Sequence, residues 1–234
     1  MSKKIIFKAM DEEGFNIQDR PYPASKAIPE WWKNHSIYDN GSNKLELINR
    51  TPNFSFKKCT PMLDALTSGY IIPLHADVLV SRQEDRVFLS WKTEKDIFQL
   101  HGQSSHNVEA PPGYSNLVFK YLNTWIPITP KGYSVLITSP FGYRNLPMMA
   151  IPAIIDSDRS LLDMANPMWI KDDFEGIIEK GTPLIQVTPF KRDDWEASFE
   201  HFKKDEWKTH TEKNFSANIV GHYIKNIWSK KNYK

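Results

Sequence analysis

Eight of the chain's 16 prolines fall between residues 127 and 189, threaded through runs of β-branched, aromatic and aliphatic residues. Proline lacks the donor of a helix interior and its ring clashes with the preceding turn, so no long helix fits this stretch. The runs between the prolines are strand-like. Tyr133-Ser134-Val135-Leu136-Ile137-Thr138 is bounded by Lys131-Gly132 and Ser139-Pro140 and reads as a buried strand. Residues 150–155 form a second apolar run, closed by the polar turn Asp156-Ser157-Asp158. Gly176-Ile177-Ile178 and Leu184-Ile185-Gln186-Val187, separated by Glu179-Lys180-Gly181, predict two strands joined by a tight reversal. The pattern specifies a mainly β core.

Earlier segments extend it. Residues 4–10 read as a first strand, ended by the turn at 11–14, and residues 15–30 as an extended arm. Pro29 is placed to open a short helix that carries Trp31 and Trp32, whose rings either dock the arm or meet a partner. Thr60 as cap, Pro61 at the first helical position and Gly69 as terminator predict a short helix. Residues 70–80 read as one interrupted strand that leads into a hairpin with 86–91. The 101–115 stretch is a loop, and 117–121 resumes as strand. From Asp193 the composition shifts: Trp195, Phe199, Phe202 and Trp207 predict an amphipathic helix over about 194–210, with a second over 217–228. The expected organisation is an N-terminal strand and Pro/Trp-rich arm (1–50), an antiparallel β-sandwich or β-clip-like core (51–192) and a helical C-terminal extension (193–234).

Composition excludes more than it names. A net charge of +2 over 234 residues gives no nucleic-acid footprint. The single Cys59 rules out an internal disulfide and a cysteine-rich zinc site, and reads as a small, half-buried hydrophobe. No apolar run approaches the roughly 20 residues of a membrane span, and the N-terminus lacks a signal-peptide pattern. The expected setting is a reducing cytoplasm. Motifs for dinucleotides, P-loop nucleotides, zinc proteases and hydrolase elbows are absent from the sequence.

Two local patterns could carry chemistry. His75-Ala76-Asp77 follows an apolar run, and strand residues two apart share a face. With His101 or His106 they would make the two-His, one-carboxylate triad of an Fe(II)/2-oxoglutarate-type oxygenase, with Arg82 or Arg144 holding the co-substrate carboxylate. No cofactor is expected otherwise. The second pattern is Ile154-Ile155-Asp156-Ser157-Asp158-Arg159 followed by residues 176–187. It resembles the dUTPases, whose Val-Ile-Asp-x-Asp-Tyr-Arg-Gly segment precedes a Lys-x-Gly-Asp hairpin. That resemblance implies a β-clip-like framework and gives Asp156 the water-orienting role, with Asp158 and Arg159 beside it. The family's Gly-Arg-Ser-Ser phosphate loop has no counterpart between residues 100 and 150.

A broader resemblance covers roughly residues 20–195. Pro23 to Trp31 matches a Pro-x-x-x-x-Ile-Pro-Glu-Trp arm, and Lys57 to Leu74 matches a Lys-Lys-Cys-x-Pro-x-Leu-Asp-Ala-Leu-Thr-x-Gly-Tyr-Ile-Ile-Pro-Leu stretch. Thr129 to Ser134 and Gly181 to Phe190 match two further motifs. Together they resemble an uncharacterised family of tailed bacteriophages and some bacteria. The resemblance implies no activity. With the Trp-rich arm and Trp195, Phe199 and Trp207 as contact residues, it predicts a non-catalytic structural or assembly protein. Its partners would be protein subunits, virion components or further copies of itself.

Overall fold

The computed structural model describes residues 3–16, 19–39, 41–48, 51–84, 86–102, 108–159, 165–220 and 223–234. In chain order the elements are β1 (Ile6–Ala9), α1 (Glu12–Asn16), β2 (Tyr22–Pro23), α2 (Glu30–Asn34), β3 (Leu47–Ile48), β4 (Thr51–Pro52) and α3 (Thr60–Thr67). There follow β5 (Tyr70–Pro73), β6 (Val78–Gln83), β7 (Arg86–Ser90), β8 (Phe98–Leu100), β9 (Tyr114–Leu122) and β10 (Trp125–Ile128). The rest are β11 (Tyr133–Thr138), β12 (Met148–Ala150), β13 (Ala153–Ile155), β14 (Ala165–Lys171), β15 (Gly176–Ile178), β16 (Pro183–Lys191) and α4 (Lys204–Val220). The chain packs as two units. One holds residues 1–28, 66–192 and 233–234; the other joins 29–65, the end of the predicted arm with the start of the predicted core, to 193–232 of the C-terminal extension.

The first unit is mainly β and antiparallel throughout, as the proline-broken strand pattern requires. Its sheets run β13-β11-β16-β5-β2, β12-β14-β9-β8 and β15-β6-β7, with a β1-β10 ribbon beside them. One apolar core lies between their inner faces, including Ile72, Val80, Tyr121, Ile137, Met168 and Ile185. Strand β16 is buried continuously from Leu184 to Val187, because it is central in its sheet and covered on both sides.

The predicted reversal at 179–181 has a different form. Strands β15 and β16 do not pair with each other. β15 pairs with β6 in one sheet, while β16 pairs with β5 in another. The same bend separates β5 from β6, so residues 70–80 are two strands in two sheets rather than one interrupted strand. Leu74 donates to the Thr182 carbonyl at 2.8 Å, Gly181 donates to the Leu74 carbonyl at 2.7 Å, and Lys180 N–H donates to Asp77 Oδ1 at 2.7 Å. A two-stranded ribbon therefore turns a corner from sheet to sheet, as bends and bulges allow. Pro73 and Pro183 are paired at the corner, and the register shifts between Pro183 and Ile185. Neither proline can donate to a ladder, so regular pairing stops there.

In the second unit, α2 carries Trp32, which is only 4% exposed, and Trp31, set edge-on to it at 5.7 Å. Pro29 caps this helix, one residue before the position predicted for it. Asn53 organises the β3–β4 region by accepting from Glu46 N–H at 2.8 Å and donating to the Lys44 carbonyl at 3.2 Å. Cys59 is exposed, not half-buried: it ends the 3₁₀ turn Phe56–Lys58, and its amide and carbonyl are engaged by Phe56 and Leu63 while the side chain points outward.

The predicted helix over 194–210 begins ten residues late. Residues 193–203 are neither helix nor strand, and α4 starts at Lys204. The Glu206 carboxylate reaches back to accept the Lys203 N–H at 2.9 Å, the return half of a capping box. Asp205 and Glu206 also favour the positive helix end. These residues fix the start of the helix. The predicted second helix over 217–228 is instead the end of α4 and a short π-helical turn, Tyr223–Ile227.

Candidate functional site

Three places collect the residues singled out by the sequence. The first lies at one end of the five-stranded sheet, where β13 ends, β11 begins and β16 runs out. Asp156 and Asp158 follow β13, and Arg192 follows β16. The antiparallel registers of β13 and β16 on β11 bring them together. Arg192 grips Asp158 with both guanidinium nitrogens, Nη1 on Oδ1 at 2.8 Å and Nη2 on Oδ2 at 2.5 Å. Gly132 N–H donates to Asp158 Oδ2 at 2.7 Å, and Ser134 Oγ donates to Asp156 Oδ1 at 2.7 Å. Arg192 Nη1 also lies 3.0 Å from Asp156 Oδ1. The Asp158 side chain is 2% exposed and that of Asp156 47%.

The electrostatics follow from these contacts. The Arg192 guanidinium, with the Gly132 amide, holds the Asp158 carboxyl at about 2. The Ser134 hydroxyl and the Arg192 charge hold Asp156 below the usual carboxylate range. Both acids stay ionised at neutral pH and are poor proton acceptors, whereas acid–base catalysis needs a pKa near the working pH. Arg159 is exposed, and its amide closes the turn onto the Asp156 carbonyl at 2.9 Å. The arrangement is a clamp, two carboxylates on one guanidinium, that ties three strand ends together. Arg192 was missed in the sequence because it lies 34 residues from Asp158 inside an ordinary charged run.

The second place is the sheet corner. His75 Nδ1 lies 3.0 Å from the Tyr121 hydroxyl, and the two rings stack with centroids 5.8 Å apart. Tyr121 donates its proton to the Pro73 carbonyl at 2.9 Å, so it accepts from His75 Nδ1–H and leaves Nε2 as the imidazole's free acceptor. Burial, then the Lys180 charge, lowers the His75 pKa. Asp77 turns to the Lys180 amide, as described for the corner. His75 and Asp77 are thus engaged in separate contacts. His101 is exposed beyond β8, and His106 lies outside the described residues. Among the described residues no three His, Cys, Asp or Glu side chains gather as a metal-binding group. Arg82 donates to the Lys171 and Phe174 carbonyls at 2.7 and 3.2 Å, which commits its guanidinium to backbone; Arg144 is exposed.

The third place is residues 193–203. Trp195 is 90% exposed and Phe199 95%, with Phe202 and Trp207 more than half exposed. Phe202, Trp207 and His210 contact one another, with ring centroids 5.4–5.8 Å apart. Trp195 and Phe199 are the most exposed large apolar side chains among the described residues. No helix among those residues is long and apolar enough to cross a membrane. No protein-family model matches the chain, and no curated protein matches it.

Proposed function

We propose that this chain is a non-catalytic structural or assembly protein of bacteriophage type, working through protein–protein contacts in the host cytoplasm or within the virion. The observation that carries the reading is the near-complete exposure of Trp195 and Phe199 on a segment without regular structure. Water-exposed aromatic rings are costly to maintain, and Trp and Phe dominate the energetics of protein interfaces once buried. The acid cluster supports the same reading, because Asp156 and Asp158 are consumed by a structural ion pair. The resemblance to phage proteins through residues 20–195 supplies the biological setting.

The test is copurification. Virions from cells that express the wild-type chain should carry it through a density gradient, and the double variant Trp195→Ala/Phe199→Ala should be left at the top. Wild-type protein that never enters particles, or a double variant that enters them equally, would sink the proposal.

A further inference from the structure

Strands β7 and β8 are the edges of two different sheets, and each pairs on one side only among the described residues. Between them lies a groove of about 430 Å³, lined by Arg86, Phe88 and Trp91 on one wall and Leu100, Leu117 and Phe119 on the other. A cavity of this size sits within the range that accepts a small ligand or a pair of aromatic side chains. Arg86 is the charged group of the lining; it is exposed and makes no ion pair among the described residues.

Residues 193–200, Asp-Asp-Trp-Glu-Ala-Ser-Phe-Glu, have complementary features. From Trp195 onward the sequence alternates: Trp195, Ala197 and Phe199 against Glu196, Ser198 and Glu200. That is the period of a strand with one apolar face. Yet the segment pairs with no strand, and its two rings are the exposed ones described above. All four of its charges, Asp193, Asp194, Glu196 and Glu200, are negative. It has the pattern of an amphipathic strand but no sheet, and the groove is bounded by sheet edges that have no further neighbour among the described residues.

We infer that residues 193–200 of a second copy of this chain add as a strand along the β7–β8 groove, with Trp195 and Phe199 filling it and an acidic side chain meeting Arg86. Strand addition supplies main-chain hydrogen bonds to a free edge, and alternate side chains enter pockets. Exchange between two copies is self-complementary and closes a two-fold dimer. Two such straps bury a Trp and a Phe each, at about 150–250 Å² per ring, and cover a comparable area of groove wall. The total comes to about 1,200–2,000 Å², the size of a stable pairwise interface. The inference rests on the reading of residues 193–203 as an interaction segment and names a partner for it.

Sedimentation velocity of the full chain over the micromolar range tests this, with far-UV circular dichroism as the folding control. The wild type should dimerise. Trp195→Ser/Phe199→Ser (strap) and Phe88→Glu/Leu100→Glu (groove) should each raise the dissociation constant about tenfold or more. Mixing the two should give a heterodimer held by one intact strap–groove contact, tighter than either variant alone and weaker than the wild type. If the groove double variant fails to fold, Arg86→Glu replaces it and should weaken the dimer. A monomeric wild type, a dimer that survives the groove changes, or a mixture that associates no better than either variant alone overturns the groove assignment. If strap variants still lose their place in particles in that case, the interaction reading stands alone. If they lose nothing in either assay, both readings fall.

Discussion

Gly69 offers the sharpest test of the fold's closest approach. It ends α3 at φ +71°, and a Cβ placed there would lie 2.0 Å from the Val187 carbonyl oxygen and 2.9 Å from Thr188 Cα. Both are backbone atoms of β16, the central strand of the five-stranded sheet, which cannot swing aside as a side chain could. Gly132 has φ +84° but nothing within 4 Å of the same hypothetical Cβ. Gly132→Ala should therefore register the left-handed conformation alone, about 1–2 kcal/mol. Gly69→Ala should add an overpacking cost of about 1–3 kcal/mol, because normal carbon contacts sit at about 3.5–4.0 Å and the strand must retreat by more than an ångström. Urea unfolding followed by tryptophan fluorescence reads both. A Gly69→Ala variant as stable as Gly132→Ala would mean that Gly69 does not approach the β16 backbone this closely.

Asp158→Asn should lower the melting temperature at neutral pH. The folded carboxyl sits at about 2, below its ordinary value, so its contribution is complete above the usual carboxylate range and is lost as the pH falls through about 2. The variant should accordingly lose less stability than the wild type between about pH 4 and pH 2. Tyr121→Phe strands the Pro73 carbonyl and His75 Nδ1 without their buried partner and should cost about 1–3 kcal/mol in urea unfolding. In the wild type, His75 should titrate below its ordinary value by NMR, so stability falls as the pH drops from about 6.5 toward the folded pKa. Trp32→Ala should cost about 3–5 kcal/mol by calorimetry, since the ring is almost wholly buried.

Local chemistry made much of the fold legible. The run 133–138 became β11, α3 forms with Thr60 as its first residue rather than its cap, and the β6–β7 hairpin forms as its spacing implies. What the sequence could not carry was which strand neighbours which. The corner at 74–77 and 179–182 depends on hydrogen bonds between segments about a hundred residues apart, and no local period records them. Asp156 and Asp158 stood out as a carboxylate pair, but their role depends on Arg192, which arrives only through the register of β16. The helix start was misplaced because Trp195, Phe199 and Phe202 fit helical spacing nearly as well as Trp195, Ala197 and Phe199 fit a strand. Glu206 decided the boundary locally.

The proposed contact of residues 193–203 with another polypeptide can be trapped by a photocrosslinking amino acid at position 199, in the full chain expressed during phage growth. A light-dependent adduct is expected to join position 199 to a second polypeptide, either a virion protein or another copy of this chain at residues 86–100. Adducts confined to the same molecule, with no second polypeptide attached at any stage of growth, would contradict it.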